Sequence, residues 1–253
     1  MKDVLLSCVG ENRPVWHQKM ENLVLSYRLL GGELGQKGRI IVQVVDDVDP
    51  EFEKRMAPLH AEVRVVPRVD ARLGVSNKMH MYDLAHTESF GALLSLDCDV
   101  VVVGDLEPEV SLDKLRGLPA GRSHIDPETW RRLYTALQLE EPARDWTLSV
   151  TGERSHPYIN GGVLFVPHAY CLPLREHWYG LMQWLLGDAG LEYLGRPLHR
   201  DQIPLALTVA RAGFRVEPLP LNLNLSTTTR PVVPREFRDH DGPPFILHYH
   251  HSI

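Results

Sequence analysis

Residues 94–103 read Leu94-Ser95-Leu96-Asp97-Cys98-Asp99-Val100-Val101-Val102-Val103. An apolar run here reaches two aspartates and then continues as four valines. Burying a carboxylate is strongly unfavourable unless it is paired or holds a metal. In an extended chain Asp97 and Asp99 point to one side and Cys98 to the other, because side chains alternate along a strand. Two oxygen ligands on one side suit Mn²⁺ or Mg²⁺, so the stretch predicts a metal site at the end of a buried strand.

The same stretch has a simpler interpretation, a solvated turn that joins two strands. The four valines that follow Asp99 count against this alternative, because they extend the buried apolar run beyond the carboxylates. We therefore expect a metal site here, with Cys98 facing the core.

Strand and helix patterns alternate upstream of this stretch. Strands are predicted over 4–9, 40–45 and 62–66, and helices over 14–30, 50–59 and 76–85. Such alternation implies parallel crossover units, hence an α/β fold with a Rossmann-like, mostly parallel central sheet flanked by helices. Ligands bind outside the carboxyl ends of strands in such sheets. We expect the loop after Val9, the Asp46-Asp47 turn and the two aspartates to meet in one crevice.

The second half of the chain is less regular. Helices are predicted over 127–139, 173–186 and 199–212, strands over 163–166, 214–219 and 245–251, and irregular segments over 140–157 and 222–241. Asn160-Gly161-Gly162 is predicted to form a turn, where glycine lets the backbone approach a ligand closely. A plain turn before a strand is the alternative.

Composition excludes several classes of protein. The chain has 253 residues, 43% of them hydrophobic and 24% charged, as expected of one globular domain. A net charge of -6 argues against sequence-independent binding to nucleic acid. Three cysteines without a Cys-x-x-Cys pair favour a reducing, cytoplasmic location without disulfides. No apolar run approaches the roughly 20 residues of a transmembrane helix. Oligomeric state is left open.

Two histidines near residue 250 offer a third metal ligand. His248 follows an apolar strand pattern and shares a face with His250 if the chain is extended. Mn²⁺ accepts imidazole beside carboxylate, whereas Mg²⁺ prefers oxygen. The set Asp97, Asp99 and His248 therefore favours Mn²⁺ over Mg²⁺, and which of the histidines is the ligand is left open.

Two further candidates have structural alternatives. Asp201-Gln202, near a predicted helix start, can hydrogen-bond a polyhydroxylated ligand or simply stabilise the helix N-terminus. Lys78, in the predicted helix before the aspartates, can pair with phosphate or remain solvated.

The motifs form an ordered set, which runs Asn77-Lys78-Met79, Leu96 to Val103 with its Asp-x-Asp (DXD) motif, Gly104-Asp105-Leu106, Tyr158 to Val163, Asp201-Gln202 and Ile246 to Tyr249. In order and spacing it resembles the GT-A-fold glycosyltransferases, most closely family eight, which includes glycogenin and bacterial galactosyltransferases. The resemblance spans most of the chain. It implies a single GT-A domain over 1–253, with a nucleotide-binding half of about 1–105 and an acceptor half of about 106–253. It also implies a metal-dependent hexosyltransferase that uses a UDP-sugar, retains anomeric configuration and acts on an acceptor hydroxyl of unknown identity.

The resemblance also implies roles for single residues. Asp97, Asp99 and His248 would bind Mn²⁺, with Cys98 between the aspartates, and Lys78 would contact the donor's phosphate or sugar. Asp201 would hydrogen-bond the sugar and Gln202 would lie near the anomeric carbon. The expected donor contacts are, for the base and ribose, Ser7, Cys8, Val9 and Asn12 and, for the sugar, Asn160, Gly161 and Gly162.

One departure concerns the residues after His248. The family pattern continues with a Gly and a Lys-Pro-Trp element, whose lysine binds the diphosphate, whereas Tyr249-His250-His251 follows here. His250 or Arg230 is the expected substitute for that lysine.

Three other functions fit parts of the pattern. A sugar nucleotidyltransferase would begin with a Gly-rich loop, but residues 7–12 contain one glycine. A metal-dependent nucleotide-sugar hydrolase would call for further carboxylates or histidines around a second metal. A non-catalytic sugar-nucleotide-binding protein need not keep Asp97, Asp99 and Asp201 together.

Overall fold

The computed structural model describes residues 3–195, 201–227 and 242–250. Its first half alternates strands with helices, namely β1 Val4–Glu11, α1 Pro14–Leu30, α2 Gly32–Lys37, β2 Arg39–Val45, α3 Pro50–Met56, β3 Glu62–Val66, α4 Met79–Asp83, β4 Ala92–Leu96 and β5 Val100–Val102. The second half contains β6 Leu115–Pro119, α5 Pro127–Ala136, β7 Trp146–Thr147, β8 Arg154–Ser155, β9 Ile159–Pro167, α6 His168–Leu186, α7 Asp188–Leu194, α8 Gln202–Ala212, β10 Val216–Pro218, β11 Leu225–Ser226 and β12 Ile246–His248. Short 3₁₀ turns cover Ala57–Leu59, Gly74–Lys78, Leu84–His86, Glu107–Glu109 and Leu221–Leu223.

The central sheet has seven strands in the order β10-β6-β9-β4-β1-β2-β3. β1 pairs in parallel with β2 and β4, β2 with β3, and β10 with β6. β9 is antiparallel to both of its neighbours, β4 and β6. The predicted mostly parallel α/β sheet is therefore confirmed, with one reversed strand. Because β9 runs backwards, its first residues lie at the carboxyl end of β4.

Helices cover both faces of the sheet. On one face, Leu94 of β4 packs in a cluster with Leu6 of β1 and Leu23 of α1. On the other face, Leu93 belongs to a cluster with Trp178 of α6. Alternation along each strand sends successive side chains to opposite faces, so strands covered on both sides are apolar throughout.

The structure corrects two local predictions. β4 ends at Leu96, and residues 97–99 form a turn before β5, which leaves the main sheet and pairs with β12. The chain is therefore not extended through the aspartates. Asn160-Gly161-Gly162 lies inside β9 rather than in a turn. The interior of a strand disfavours glycine unless neighbouring groups approach closely, and such neighbours are present here, as described below.

Two further observations concern membrane-spanning helices and the state of the cysteines. Within the described residues, no helix combines the length and apolar character needed to cross a membrane. Cys8, Cys98 and Cys171 are free and buried. A cytoplasmic location stays a prediction.

Buried His156 makes folding sensitive to acid. Its ring is 1% exposed and lies edge-on against Trp130, with centroids 4.3 Å apart. Burial is the main cause that lowers its pKa from 6.5 to about 4, with weaker effects of Glu141 and Arg144. The unfolded chain thus takes up the proton first, so stability is complete above pH 6.5 and falls by about 3 kcal/mol as the pH drops to 4. Denaturant unfolding between pH 7 and 4 should show this loss, and His156→Phe should reduce it. An unchanged pH dependence in the variant would contradict this assignment.

Candidate active site

A crevice of about 370 Å³ opens at the carboxyl ends of β1, β2 and β4. Val9 and Gly10 of β1 and Val45 at the end of β2 form part of its wall. The turn that carries Asp97 and Asp99 forms another part. Polar groups thus collect where parallel strands end, which is the usual ligand-binding edge of such a sheet.

The aspartate turn is anchored to the reversed strand β9. The backbone N–H of Asp97 donates to the carbonyl oxygen of Gly162 at 2.8 Å. Cys98 is buried in the core, and burial raises the pKa of its thiol well above the usual value. The side chains of Asp97 and Asp99 are 25% and 19% exposed. They stand in a turn and meet different partners, so the strand-based argument for one shared side does not apply.

Asp97 belongs to an ion cluster centred on Lys78. The Lys78 ammonium lies 2.7 Å from Oδ1 of Asp97, 3.0 Å from Oδ2 of Asp201 and 3.3 Å from the carbonyl oxygen of Gly161. Burial lowers the pKa of Lys78, but the two carboxylates outweigh burial and raise it above its usual value. Lys78 therefore stays charged and uses its three N–H groups on protein acceptors.

Asp99 belongs to a second cluster, formed with two histidines. Nε2 of His248 lies 3.2 Å from Oδ1 of Asp99, and the rings of His248 and His250 are 3.8 Å apart. One ligand atom from each of the three residues lies within 4.8 Å of the others. Burial opposes ionisation of Asp99, but the His248 hydrogen bond and the charges of His248 and Lys19 hold its pKa at about 2. One carboxylate with two imidazoles suits a transition metal such as Mn²⁺ better than Mg²⁺.

A chain of hydrogen bonds fixes the proton on His248. The backbone N–H of Gly162 donates to Oδ1 of Asn160 at 2.8 Å, so this atom is an acceptor. The same oxygen takes a second bond, at 3.2 Å, from Nδ2 of Asn224. Oδ1 of Asn224 therefore faces Nδ1 of His248, 2.9 Å away, and accepts its proton. The hydrogen bond between Nε2 and ionised Asp99 then requires a proton on Nε2 as well, and a metal bound between the two residues would take the place of that proton.

The two glycines of β9 make room for these clusters. A Cβ on Gly162 would lie 2.6 Å from Cε1 of His248 and 3.0 Å from Oδ2 of Asp97. A Cβ on Gly161 would lie 3.0 Å from Oδ2 of Asp201. Glycine is needed at both positions because neighbouring side chains lie too close to the strand to leave room for a Cβ. The predicted turn gave a different reason, the close approach of a ligand.

Asp201 and Gln202 stand at the start of α8. Asp201 is the N-cap residue, but its side chain makes no capping hydrogen bond and reaches Lys78 instead. Its carbonyl oxygen accepts the indole N–H of Trp178 at 2.9 Å. Gln202 is the first residue of the helix and is partly exposed. The carboxylate is thus directed into the ion cluster rather than to the helix end.

The residues expected at the base and ribose divide into two groups. Val9 lines the crevice, whereas Ser7 and Cys8 are buried. The Ser7 hydroxyl donates to the carbonyl oxygen of Ile41, and burial raises the pKa of Cys8 to about 12. Because β1 extends to Glu11, Ser7 and Cys8 lie inside the sheet and their side chains do not line the crevice. The Asn12 side chain accepts the backbone N–H of Asp49 and so holds the loop to the start of α3.

Sequence reasoning missed two polar residues beside Asp99 and His248. Lys19 of α1 places its ammonium 3.7 Å from Oδ2 of Asp99, and Asn224 orients His248. Lys19 follows Trp16 by three residues, and Trp16 lines the crevice, so helical spacing could have indicated this position. Arg230 and His251 lie outside the described residues.

The seven-stranded, mostly parallel sheet with one reversed strand is the fold of the GT-A glycosyltransferases. The family model of the Rhodobacterales glycosyltransferase domain matches residues 30–213. The chain belongs to this family of glycosyltransferases. No curated protein sequence matches the chain.

Solved structures show the same fold at low sequence identity. The galactosyltransferase LgtC, in complex with donor and acceptor sugar analogs, has a TM-score of 0.61 and 13% identity, covering 98% of this chain and 87% of its own. Mouse xyloside xylosyltransferase 1, in its apo form, has a TM-score of 0.57 and 11% identity, covering 98% and 97%. The glycosyltransferase GlyE of Streptococcus pneumoniae has a TM-score of 0.59 and 15% identity, and this chain spans 54% of its length.

Proposed function

We propose that this glycosyltransferase moves a hexose from a UDP-sugar to an acceptor hydroxyl, with a divalent cation, and with retention of anomeric configuration. The observation that carries the proposal is the Asp99, His248 and His250 cluster, at the same strand ends as the Lys78 cluster. One cluster has the donor atoms of a metal site, and the other has the polar groups that a sugar requires.

The residues present fit a metal of the Mn²⁺ type. Asp99 and His248 would be ligands, and His250 or the second oxygen of Asp97 would supply a further protein ligand. A divalent cation held there would offset the negative charge that develops on the leaving diphosphate. Asn224 keeps the proton on Nδ1 of His248 and so keeps Nε2 available as a ligand.

The crevice has the form of a nucleotide site. Its volume of about 370 Å³ lies within the range of small-ligand pockets, and Val9, Val45 and Trp16 give it apolar walls. We place the base and ribose between these walls and the sugar beside Asp201. We place the acceptor hydroxyl on the side of Gly121 and Val150, which line a second pocket together with Asn160 and His248.

The transfer needs no carboxylate pair at glycosidase spacing. The acceptor oxygen bonds to the anomeric carbon on the face from which the phosphate oxygen departs, and the hydroxyl proton passes to that phosphate oxygen. Asp201 stabilises positive charge on the sugar ring, since Lys78, 3.0 Å away, holds this carboxylate in position. Gln202 contributes a neutral hydrogen bond near the anomeric carbon.

Calorimetry with UDP tests the donor assignment. Wild-type protein should bind UDP in MnCl₂ and lose that affinity in EDTA, because the diphosphate is held through the cation. Turnover of a bound UDP-sugar then separates the enzyme from a non-catalytic binding protein, and an acceptor requirement separates transfer from hydrolysis. Absence of UDP and GDP binding in MnCl₂ would contradict the proposal.

A further inference from the structure

Lys19 is held in an unusual position for a lysine. Its side chain is 15% exposed, and its ammonium lies 5.3 Å from the ring centroid of Trp16 and 5.9 Å from that of Tyr249. Two aromatic faces attract the cation but take away much of its hydration, so it needs a further partner. The nearest carboxylate oxygen, Oδ2 of Asp99, is 3.7 Å away.

The two lysines near Asp97 and Asp99 differ in their hydrogen bonding. Lys78 has three acceptors within 3.3 Å. The distance from Lys19 to Asp99 exceeds a hydrogen-bond length, and within residues 3–195, 201–227 and 242–250 the Lys19 ammonium has no hydrogen-bond acceptor. Lys19 therefore keeps N–H groups available for an anion beside Asp99.

The surroundings select the kind of anion. A lone anion next to Asp99 would be repelled by its carboxylate. A divalent cation held by Asp99 and His248 would leave a site with positive charge on two sides, the cation on one and the Lys19 ammonium on the other. Such a site suits a polyanion that bridges the metal and the ammonium, as a diphosphate does.

We propose that Lys19 binds the diphosphate of the nucleotide donor, a role that rests on the proposed function. The ammonium comes from the second turn of α1, not from the segment that follows His248. Nε2 of His250, one of the two expected substitutes, lies 3.0 Å from the Ser226 hydroxyl. Lys19 thus supplies a positive charge for the diphosphate in addition to His250 or Arg230, the two expected substitutes, of which Arg230 lies outside the described residues.

The competing role is that of a simple counter-ion for Asp99. In that role Lys19 would stabilise the metal-free carboxylate and contribute nothing to nucleotide binding. Removal of the ammonium would then strengthen binding of Mn²⁺ alone and leave UDP affinity unchanged. The two roles therefore differ in what they predict for UDP.

Calorimetry in MnCl₂ with UDP and with uridine tests the inference. Lys19→Met should weaken UDP binding by about tenfold to a hundredfold, the usual value of a charge-assisted bond, and leave uridine binding unchanged. Lys19→Arg should recover most of the UDP affinity, because arginine also stacks on aromatic rings and donates to phosphate. Lys54→Met is the matched control, since it removes an equal charge from an exposed site on α3, where Lys54 pairs with Glu51.

Unchanged UDP affinity in Lys19→Met, or an equal loss for UDP and uridine, would overturn the inference. If wild-type protein binds no UDP, the proposed donor fails instead. Calorimetry with inorganic pyrophosphate in MnCl₂ then measures the contribution of Lys19 to diphosphate binding without the nucleoside. Weaker pyrophosphate binding in Lys19→Met supports the inference, and equal binding in both proteins overturns it.

Discussion

Asp99→Asn is expected to abolish metal-dependent sugar transfer and to leave the fold intact. The carboxylate lies 3.2 Å from Nε2 of His248, and its pKa of about 2 keeps it ionised at neutral pH. An amide keeps the shape but gives up the charge that a divalent cation requires. The transfer rate should fall by about a thousandfold or more, the scale of losing transition-state charge stabilisation.

The fold should survive because the backbone role of Asp99 is unaffected. Its carbonyl oxygen accepts the N–H of Tyr249 at 3.0 Å whatever the side chain. Thermal unfolding followed by circular dichroism checks stability, and UDP release in MnCl₂ checks the rate. Asp113→Asn is the matched control, because Asp113 is exposed and pairs with Arg215 at the surface. Normal turnover by Asp99→Asn would rule out Asp99 as a ligand.

Lys78→Met should damage both activity and stability. The substitution removes the cation between the carboxylates of Asp97 and Asp201, which lie 2.7 and 3.0 Å from it. Both carboxylates are largely shielded from water, so their charges are left without compensation. Removing one partner from a fully buried ion pair costs about 3–5 kcal/mol, and we expect about 2–4 kcal/mol of unfolding free energy here because the carboxylates of Asp97 and Asp201 are 25% and 16% exposed. Transfer should be lost as well, since Asp201 no longer has a fixed position.

A second substitution separates these two effects. Lys78→Met with Asp201→Asn should recover part of the stability, because one uncompensated charge is gone, but none of the activity. Lys114→Met is the control, since Lys114 pairs with Glu217 at the surface and should change stability by less than about 1 kcal/mol. Denaturant unfolding gives the free energies. A Lys78→Met protein as stable as Lys114→Met would refute the buried ion cluster.

The sheet was predictable because its central strands β1, β2 and β4 are apolar and buried almost throughout, and the edge strand β3 is rich in valine. Strand β3 lies at 62–66 as predicted, and β2 lies within one residue of its predicted range. The reversed direction of β9 was not predictable. Its Gly161-Gly162 pair favours a turn on local grounds, and only the packed side chains of Asp201 and His248 explain glycine within a strand.

The candidate site was predictable as a set of residues but not as an arrangement. The sequence predicts that Asp97 and Asp99 act together on one ligand. In the structure Asp97 forms an ion pair with Lys78, and Asp99 contacts His248. That division depends on partners from distant parts of the chain. Asn224 escaped prediction for the same reason, since it carries no local motif, and the one local signal for Lys19 is its helical spacing from Trp16.

Mn²⁺-dependent release of UDP from a panel of UDP-sugars, with and without candidate acceptors, tests the proposed function most directly. At least one UDP-sugar should release UDP in MnCl₂, EDTA should stop the release, and Asp99→Asn should not show it. Release that persists at the same rate in EDTA, or no release from any sugar donor in the panel, would contradict the assignment of a metal-dependent UDP-sugar transferase.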